Sequence, residues 1–334
     1  QLEEVVVSGY HTVKKEAFVG SCVSVKGNSL QRRADYYSNT EEYNSFSQNQ
    51  FRKALDAPLS TFSIDVDNAA YSNVRRFINQ GTLPPVDAIR TEEFLNYFAY
   101  DYPAPRGNDP VSITTEVSYA PWNTQHKLVH IGIKAKEIAM ENLPASNLVF
   151  LIDVSGSMSD QTKLPLLKSS LKMLVQKLRP QDRVAIVTYA NHTKELLPST
   201  SCEDKQKIIS VIESLYASGG TAGGDGIQRA YRVAEASFIK NGNNRIILAT
   251  DGDFNIGLSS PQELEKLIET KRSSGIYLTV LGFGMGNYKD NRVQTLAEKG
   301  NGNHAYIDNL TEAKKVLVSE FGGTLFTVVK DVKI

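Results

Sequence analysis

Between residues 145 and 322 the chain alternates short apolar runs with stretches whose apolar side chains recur every three or four positions. A run of four to eight apolar residues closed by Gly or polar positions predicts a strand buried on both faces, and the longer spacing predicts an amphipathic helix. Strands are expected at 148–153, 184–189, 245–250, 276–281 and 305–307, with a short antiparallel edge strand at 193–198. Helices are expected where Leu167, Leu171, Leu174, Val175 and Leu178 line one face, and at 208–215, 227–238, 261–273, 293–299 and 312–321. Such alternation is the signature of an α/β fold with a doubly wound, mostly parallel sheet flanked by helices.

The pattern upstream is different. Residues 60–66 alternate like a strand, and Asp67 or Asn68 is placed to cap a helix over 69–79 that Gly81 ends. Pro84 and Pro85 open a second helix with Ile89, Phe94, Leu95 and Phe98 on its apolar side. Strands at 111–120 and 127–134 follow, turning at Trp122 and Asn123, so 57–140 is read as a smaller N-terminal α+β domain. Residues 1–56 are polar and aperiodic, an extended arm or linker in which only Glu3 to Val7 suggests a strand. Residues 325–334 alternate again; a lone strand needs a sheet, and 323–334 is expected to return to the 111–134 strands.

Charge narrows the classes of function. Lysine plus arginine and aspartate plus glutamate both number 37, so no basic excess exists to neutralise a phosphate backbone, and nucleic acid is excluded as a partner. No apolar run approaches the roughly 18 residues of a membrane span. The chain opens at Gln1 without a basic-then-apolar leader and is read as a processed or trimmed product. Cys22 and Cys202 are the two cysteines; one disulfide is conceivable, and two unpaired thiols are the simpler reading.

The chemistry gathers where the strands end. The first core strand closes on Asp153, with Ser155 and Ser157 at alternate positions after it. A second apolar strand closes on Asp251, and between the two lies the glycine-rich stretch 218–226, which carries Thr221. Ligands of open α/β sheets bind at the carboxyl ends of strands, and carboxylates with hydroxyls are hard oxygen donors suited to Mg²⁺.

In this order the residues resemble the von Willebrand factor type A domain and its metal-ion-dependent adhesion site: Asp-x-Ser-x-Ser, a Thr in a Gly-rich loop, then an Asp after a later strand. Asp153, Ser155, Ser157, Thr221 and Asp251 fill the five positions. The stretches 58–67 and 72–77 are similar to the N-terminal region of a bacterial subfamily, the YfbK-like proteins. The resemblance implies that both serines contact the ion directly and Thr221 directly or through water. Asp153 and Asp251 would then supply charge mostly through bound waters. It implies Mg²⁺, or alternatively Mn²⁺ or Ca²⁺, with a vertex open to the Asp or Glu side chain of a protein partner. It also implies an extracytoplasmic, envelope-associated protein, anchored through sequence ahead of Gln1.

The alternatives are a structural subunit of a cell-envelope assembly whose metal only stabilises the fold and, less favoured, a serine hydrolase. Gly-x-Ser-x-Gly is absent, and His126 and His130 lie on an expected strand, about 13 Å apart and too far to share an ion. His192 and His304 are expected in surface loops, and Asp65 and Asp67 in capping or turn roles. No enzyme is expected.

Overall fold

The computed structural model describes residues 5–8, 11–14, 40–45, 49–59, 67–220, 226–252, 261–286 and 288–320. Within the first 39 residues, strands β1 (Val5–Ser8) and β2 (His11–Lys14) pair antiparallel, Val5 opposite Lys14. The rest forms one unit. Its elements run α1 (Ala69–Asn79), α2 (Thr91–Asn96), β3 (Val111–Ala120), β4 (Asn123–Ala135), β5 (Ser146–Asp153) and α3 (Leu164–Lys177). Then come β6 (Arg183–Tyr189), β7 (Lys194–Ser201), α4 (Lys205–Ser214), α5 (Gly226–Ala236), β8 (Asn243–Thr250) and α6 (Pro261–Ser273). The last are β9 (Ile276–Phe283), α7 (Asp290–Lys299), β10 (His304–Ile307) and α8 (Leu310–Lys314), the latter running into a π-helical turn over Lys315–Ser319.

The central sheet has the order β10-β9-β8-β5-β6-β7, parallel except for β7 at one edge. Every residue of β5 and of β8 is buried, and the middle of each, Leu148–Ile152 and Ile246–Ala249, is an uninterrupted apolar run. Leu148, Phe150 and Ile152 share the core of one face with Leu167, Leu171 and Leu174 of α3 and Ile208 of α4. Val149 and Leu151 share the core of the other face with Ile227 and Ala230 of α5 and Val293 of α7. Each such leucine or isoleucine contributes roughly 1.5–3 kcal/mol on leaving water.

The lateral edge at β10 is closed by the chain ahead of the sheet. One side of β10 pairs with β9, and α1 lies against the other. Ser72 Oγ donates to the Tyr306 carbonyl at 2.7 Å, and the His304 amide donates to Asp67 Oδ1 at 2.8 Å. Unpaired groups of an edge strand are thereby satisfied. Charge anchors the contact: Arg75 grips Asp308 (Nε–Oδ2 2.8 Å, Nη2–Oδ1 2.5 Å) and also reaches Glu312 at 2.8 Å. Arg76 grips Glu41, and Arg90 bridges Glu93 and Asp290 at 2.9 and 2.5 Å. Burial raises Glu41, but the hydrogen bonds and charge of Arg76 outweigh it and hold the carboxyl below the usual range. Residues 40–42 follow on as a strap, with the Thr40 amide on the Gly286 carbonyl and the Glu42 amide on the Tyr288 carbonyl.

Three sequence expectations are corrected here. Asn68, which stands at the N-cap of α1, makes no side-chain cap bond, and Asp67 Oδ1 accepts from the His304 amide of β10; Glu93 accepts from the Ala70 amide at 2.8 Å. The expected second helix is a 3₁₀ turn, Val86–Ala88, followed by the short α2. Its buried side chains include Glu93, held inward by Arg90, while Leu95 and Phe98 are more than half exposed. His304, expected in a surface loop, is fully enclosed at the start of β10, with Nε2 2.6 Å from the Tyr288 hydroxyl. The strand expected at 60–66 and the returning strand at 323–334 lie outside the described residues.

β3 and β4 form a two-stranded ribbon, Val111 opposite Ala135, with Val117, Tyr119, Trp122 and Val129 exposed. His126 and His130 both lie on β4; His130 sits 2.8 Å from the Tyr102 hydroxyl.

Candidate metal centre

β5 and β8 are neighbours in the sheet, so their carboxyl ends place Asp153 and Asp251 at one edge, both fully buried. The turn after Asp153 is fixed locally. Asp153 Oδ1 accepts from the Ser155 amide at 2.8 Å, and Oδ2 accepts from the Tyr189 hydroxyl at 3.3 Å, Tyr189 being its register partner on β6. The chain then enters a 3₁₀ turn over Gly156–Ser159, which brings Ser155 Oγ and Ser157 Oγ to 3.0 Å. Ser155 is buried and Ser157 is exposed.

The glycine-rich stretch is stitched to that turn at its near end. The Ser218 amide donates to the Val154 carbonyl at 2.8 Å, and the Gly156 amide donates to the Gly219 carbonyl at 2.9 Å. Asn191, after β6, accepts from the Gly220 amide at 2.7 Å. Gly219 has φ +81°, a conformation that favours glycine, and a Cβ there would press on the Asn191 side chain, 2.6 Å from Nδ2. Thr221 lies outside the described residues; Gly220 and Gly226 are the nearest described on either side.

Burial pushes the Asp153 carboxyl up to about 6; the charge of Asp251 adds to this, and hydrogen bonds from Ser155 and Tyr189 oppose it. Two buried carboxylates thus feel each other across a space furnished with serine hydroxyls. Lys163 Nζ stands 2.8 Å from Asp251 Oδ2, with both side chains buried. One ammonium beside two carboxylates leaves the pair net negative, and the donors are all hard oxygens, so the residues fit a divalent cation.

Four of the five sequence-indicated residues are therefore brought to one edge: Asp153, Ser155 and Ser157 in a single turn, and Asp251 on the adjoining strand end. Asp67, the remaining described candidate, is committed to β10; Asp65 and Cys22 lie outside the described residues. Cys202 is buried, and burial pushes its thiol up to about 12. Residue-type reasoning missed Tyr189, Asn191 and Lys163. Lys163 did leave a signal, since it is a cation immediately ahead of a helix, where the helix dipole disfavours one.

The fold and this edge define a class, and comparison with known proteins agrees: the chain belongs to the von Willebrand factor type A domain family, which matches residues 147–319. A further von Willebrand factor family matches residues 37–130, the segment that contains α1, α2 and the strap. Among individual proteins, YfbK of Escherichia coli K12 is 49% identical over 302 residues, the match covering 88% of this chain and 52% of that one. Inter alpha-trypsin inhibitor heavy chain 4 of Mus musculus is 28% identical over 189 residues, covering 53% and 20%. The chain therefore spans about half the length of the E. coli relative and about a fifth of the mouse one. Among solved structures, proximal thread matrix protein 1 from the mussel byssus, with a zinc occupied MIDAS motif, aligns at a TM-score of 0.44 and 23% identity, covering 54% of this chain and 46% of that one.

Proposed function

We propose that this edge is a metal-ion-dependent site for binding a protein partner, with Asp153, Ser155, Ser157, Thr221 and Asp251 as the ligand set and Mg²⁺ as the first candidate ion. The observation that carries the reading is the pairing of two buried carboxylates on adjacent strands with serine hydroxyls 3.0 Å apart. Asp153 orients the turn through the Ser155 amide, so that Ser155 and Ser157 present neutral oxygens side by side. A bound ion would supply one electrophilic contact for an incoming Asp or Glu carboxylate. The carboxylates keep the ion's shell, while the hydroxyls add no charge that would repel an acidic ligand.

The arrangement favours binding over catalysis. Ser155 Oγ is paired with Ser157 Oγ, not with a histidine, and His304 is enclosed with Tyr288. Nucleophilic use of a serine needs a base within hydrogen-bond reach. Among the described residues no helix is long and apolar enough to cross a membrane. An extracytoplasmic position with envelope anchoring is part of the proposal and rests on the family resemblance.

Calorimetric titration of Mg²⁺ and Mn²⁺ into metal-stripped protein tests the site. Saturable binding is expected, abolished in Asp153→Ala, while the variant retains a cooperative thermal transition. A folded wild type that binds neither ion, or a variant that binds as wild type does, overturns the reading.

A further inference from the structure

Lys163 is at odds with its local role. It occupies the N-cap of α3, makes no side-chain cap bond there, and places a positive charge at the end of the helix where the dipole is already positive. Ser, Thr, Asp or Asn would serve that position better, since their oxygens accept from the first helical amides. The side chain instead runs inward, nine-tenths buried, to the carboxylate of Asp251.

A path has been left for it. At the end of β9, Gly284 has φ +77°, and a Cβ there would stand 2.2 Å from Lys163 Cε and 2.7 Å from Cγ. The Gly284 carbonyl is in turn held by the Tyr306 hydroxyl of β10. The lysine thus crosses the carboxyl edge between β9 and β8 in a groove whose backbone makes room for its stem. Burying an ammonium is costly unless it is paired, so the observed geometry commits Lys163 to Asp251.

We infer that Lys163 is a resident cation of the metal edge, a positioning residue that holds Asp251 by one carboxylate oxygen and sets how tightly a divalent ion is retained. The inference rests on the metal-site reading above. The ammonium offsets one of two negative charges, so ion binding is looser than the carboxylates alone would give. A bound ion then keeps more of its positive charge for an acidic ligand. Without an ion, the lysine keeps Asp251 in place against the repulsion of Asp153.

The test compares Lys163→Met and Lys163→Gln, neutral side chains of similar reach, with wild type and Asp153→Ala. Mn²⁺ and Mg²⁺ are titrated calorimetrically, and thermal unfolding is followed in chelator. Expected are ion affinities about tenfold tighter in the lysine variants and a melting temperature about 2–4 °C lower in chelator. A lysine with only a structural role would leave affinity unchanged or weaken it. If wild type binds, Asp153→Ala does not, and both lysine variants bind no more tightly than wild type, the inference fails and the metal site stands. If neither wild type nor the lysine variants bind, both fall. Binding by the lysine variants alone supports the inference most directly.

Discussion

Two buried polar clusters lie along this sheet and are built from the same carboxylates to opposite ends. Along the lateral edge, Glu41, Glu93, Asp290, Asp308 and Glu312 meet three guanidinium groups, those of Arg75, Arg76 and Arg90, with further help from the Tyr97 hydroxyl. Planar forks and bidentate contacts make that cluster a fastener. At the carboxyl edge, Asp153 and Asp251 meet hydroxyls, the Ser155 amide and the Lys163 ammonium. Hydroxyl oxygens retain lone pairs after donating, which is what the proposed cation site requires of this cluster. What separates structure from site here is therefore the chemistry of the neighbours, since both sets of acids are equally buried.

The comparison can be broken first at the fastener. Arg76→Ala removes the counter-charge of the buried Glu41 and is expected to cost about 3–5 kcal/mol in denaturant unfolding. Affinity for Mn²⁺ should stay within a factor of about three. A large loss of ion binding with unchanged stability would reverse the assignment of the two clusters.

Acidification probes the same edge with a slightly smaller effect. Burial holds the His304 ring down to about 4, with the charge of Arg90 adding and that of Glu93 opposing. Neutral in the fold, the ring gains its proton on unfolding once pH drops below 6.5, the ordinary value of a histidine. Its contribution is complete above that pH and is lost as pH falls towards about 4, a loss of about 3 kcal/mol. Unfolding free energies measured across this window should show the slope, and His304→Asn should flatten it; an unchanged slope would remove His304 as its source.

The smallest effect sharpens the contrast from outside both clusters. Arg229 and Glu195 lie 2.6 Å apart, but the arginine is nearly half exposed. Arg229→Ala is expected to shift stability by under about 1 kcal/mol, with the shift shrinking further in high salt.

These clusters also mark where the amino-acid sequence is legible. β5 and β8 are covered on both faces, so burial wrote an apolar run at each, and α6 was bounded at 261 and 273 from sequence as in the structure. Asp153, Ser155, Ser157 and Asp251 stood out because they follow such runs at once. The fastener left no comparable trace. A periodicity rule turns Leu95 and Phe98 inward, whereas the structure turns Glu93 and Arg90 inward, because a carboxylate that caps Ala70 and meets a guanidinium has partners that sequence spacing does not reveal. The partners of Asp67 and His304 are hidden for the same reason: they lie 237 and 16 residues away. Lys163 pairs with an aspartate 88 residues on, across two strand ends, and only its awkward place before a helix marked it.

The closure of β10 has a consequence for anyone wishing to excise this domain. A fragment cut to the strand–helix alternation alone would begin near residue 145 and leave Ser72, Arg75, Arg76 and Arg90 behind. It would carry an open strand margin with Asp290, Asp308 and Glu312 stripped of their counter-charges, a template for pairing with a neighbour's margin. A fragment that keeps this edge closed therefore starts no later than the strap at Thr40, well ahead of the sheet it protects.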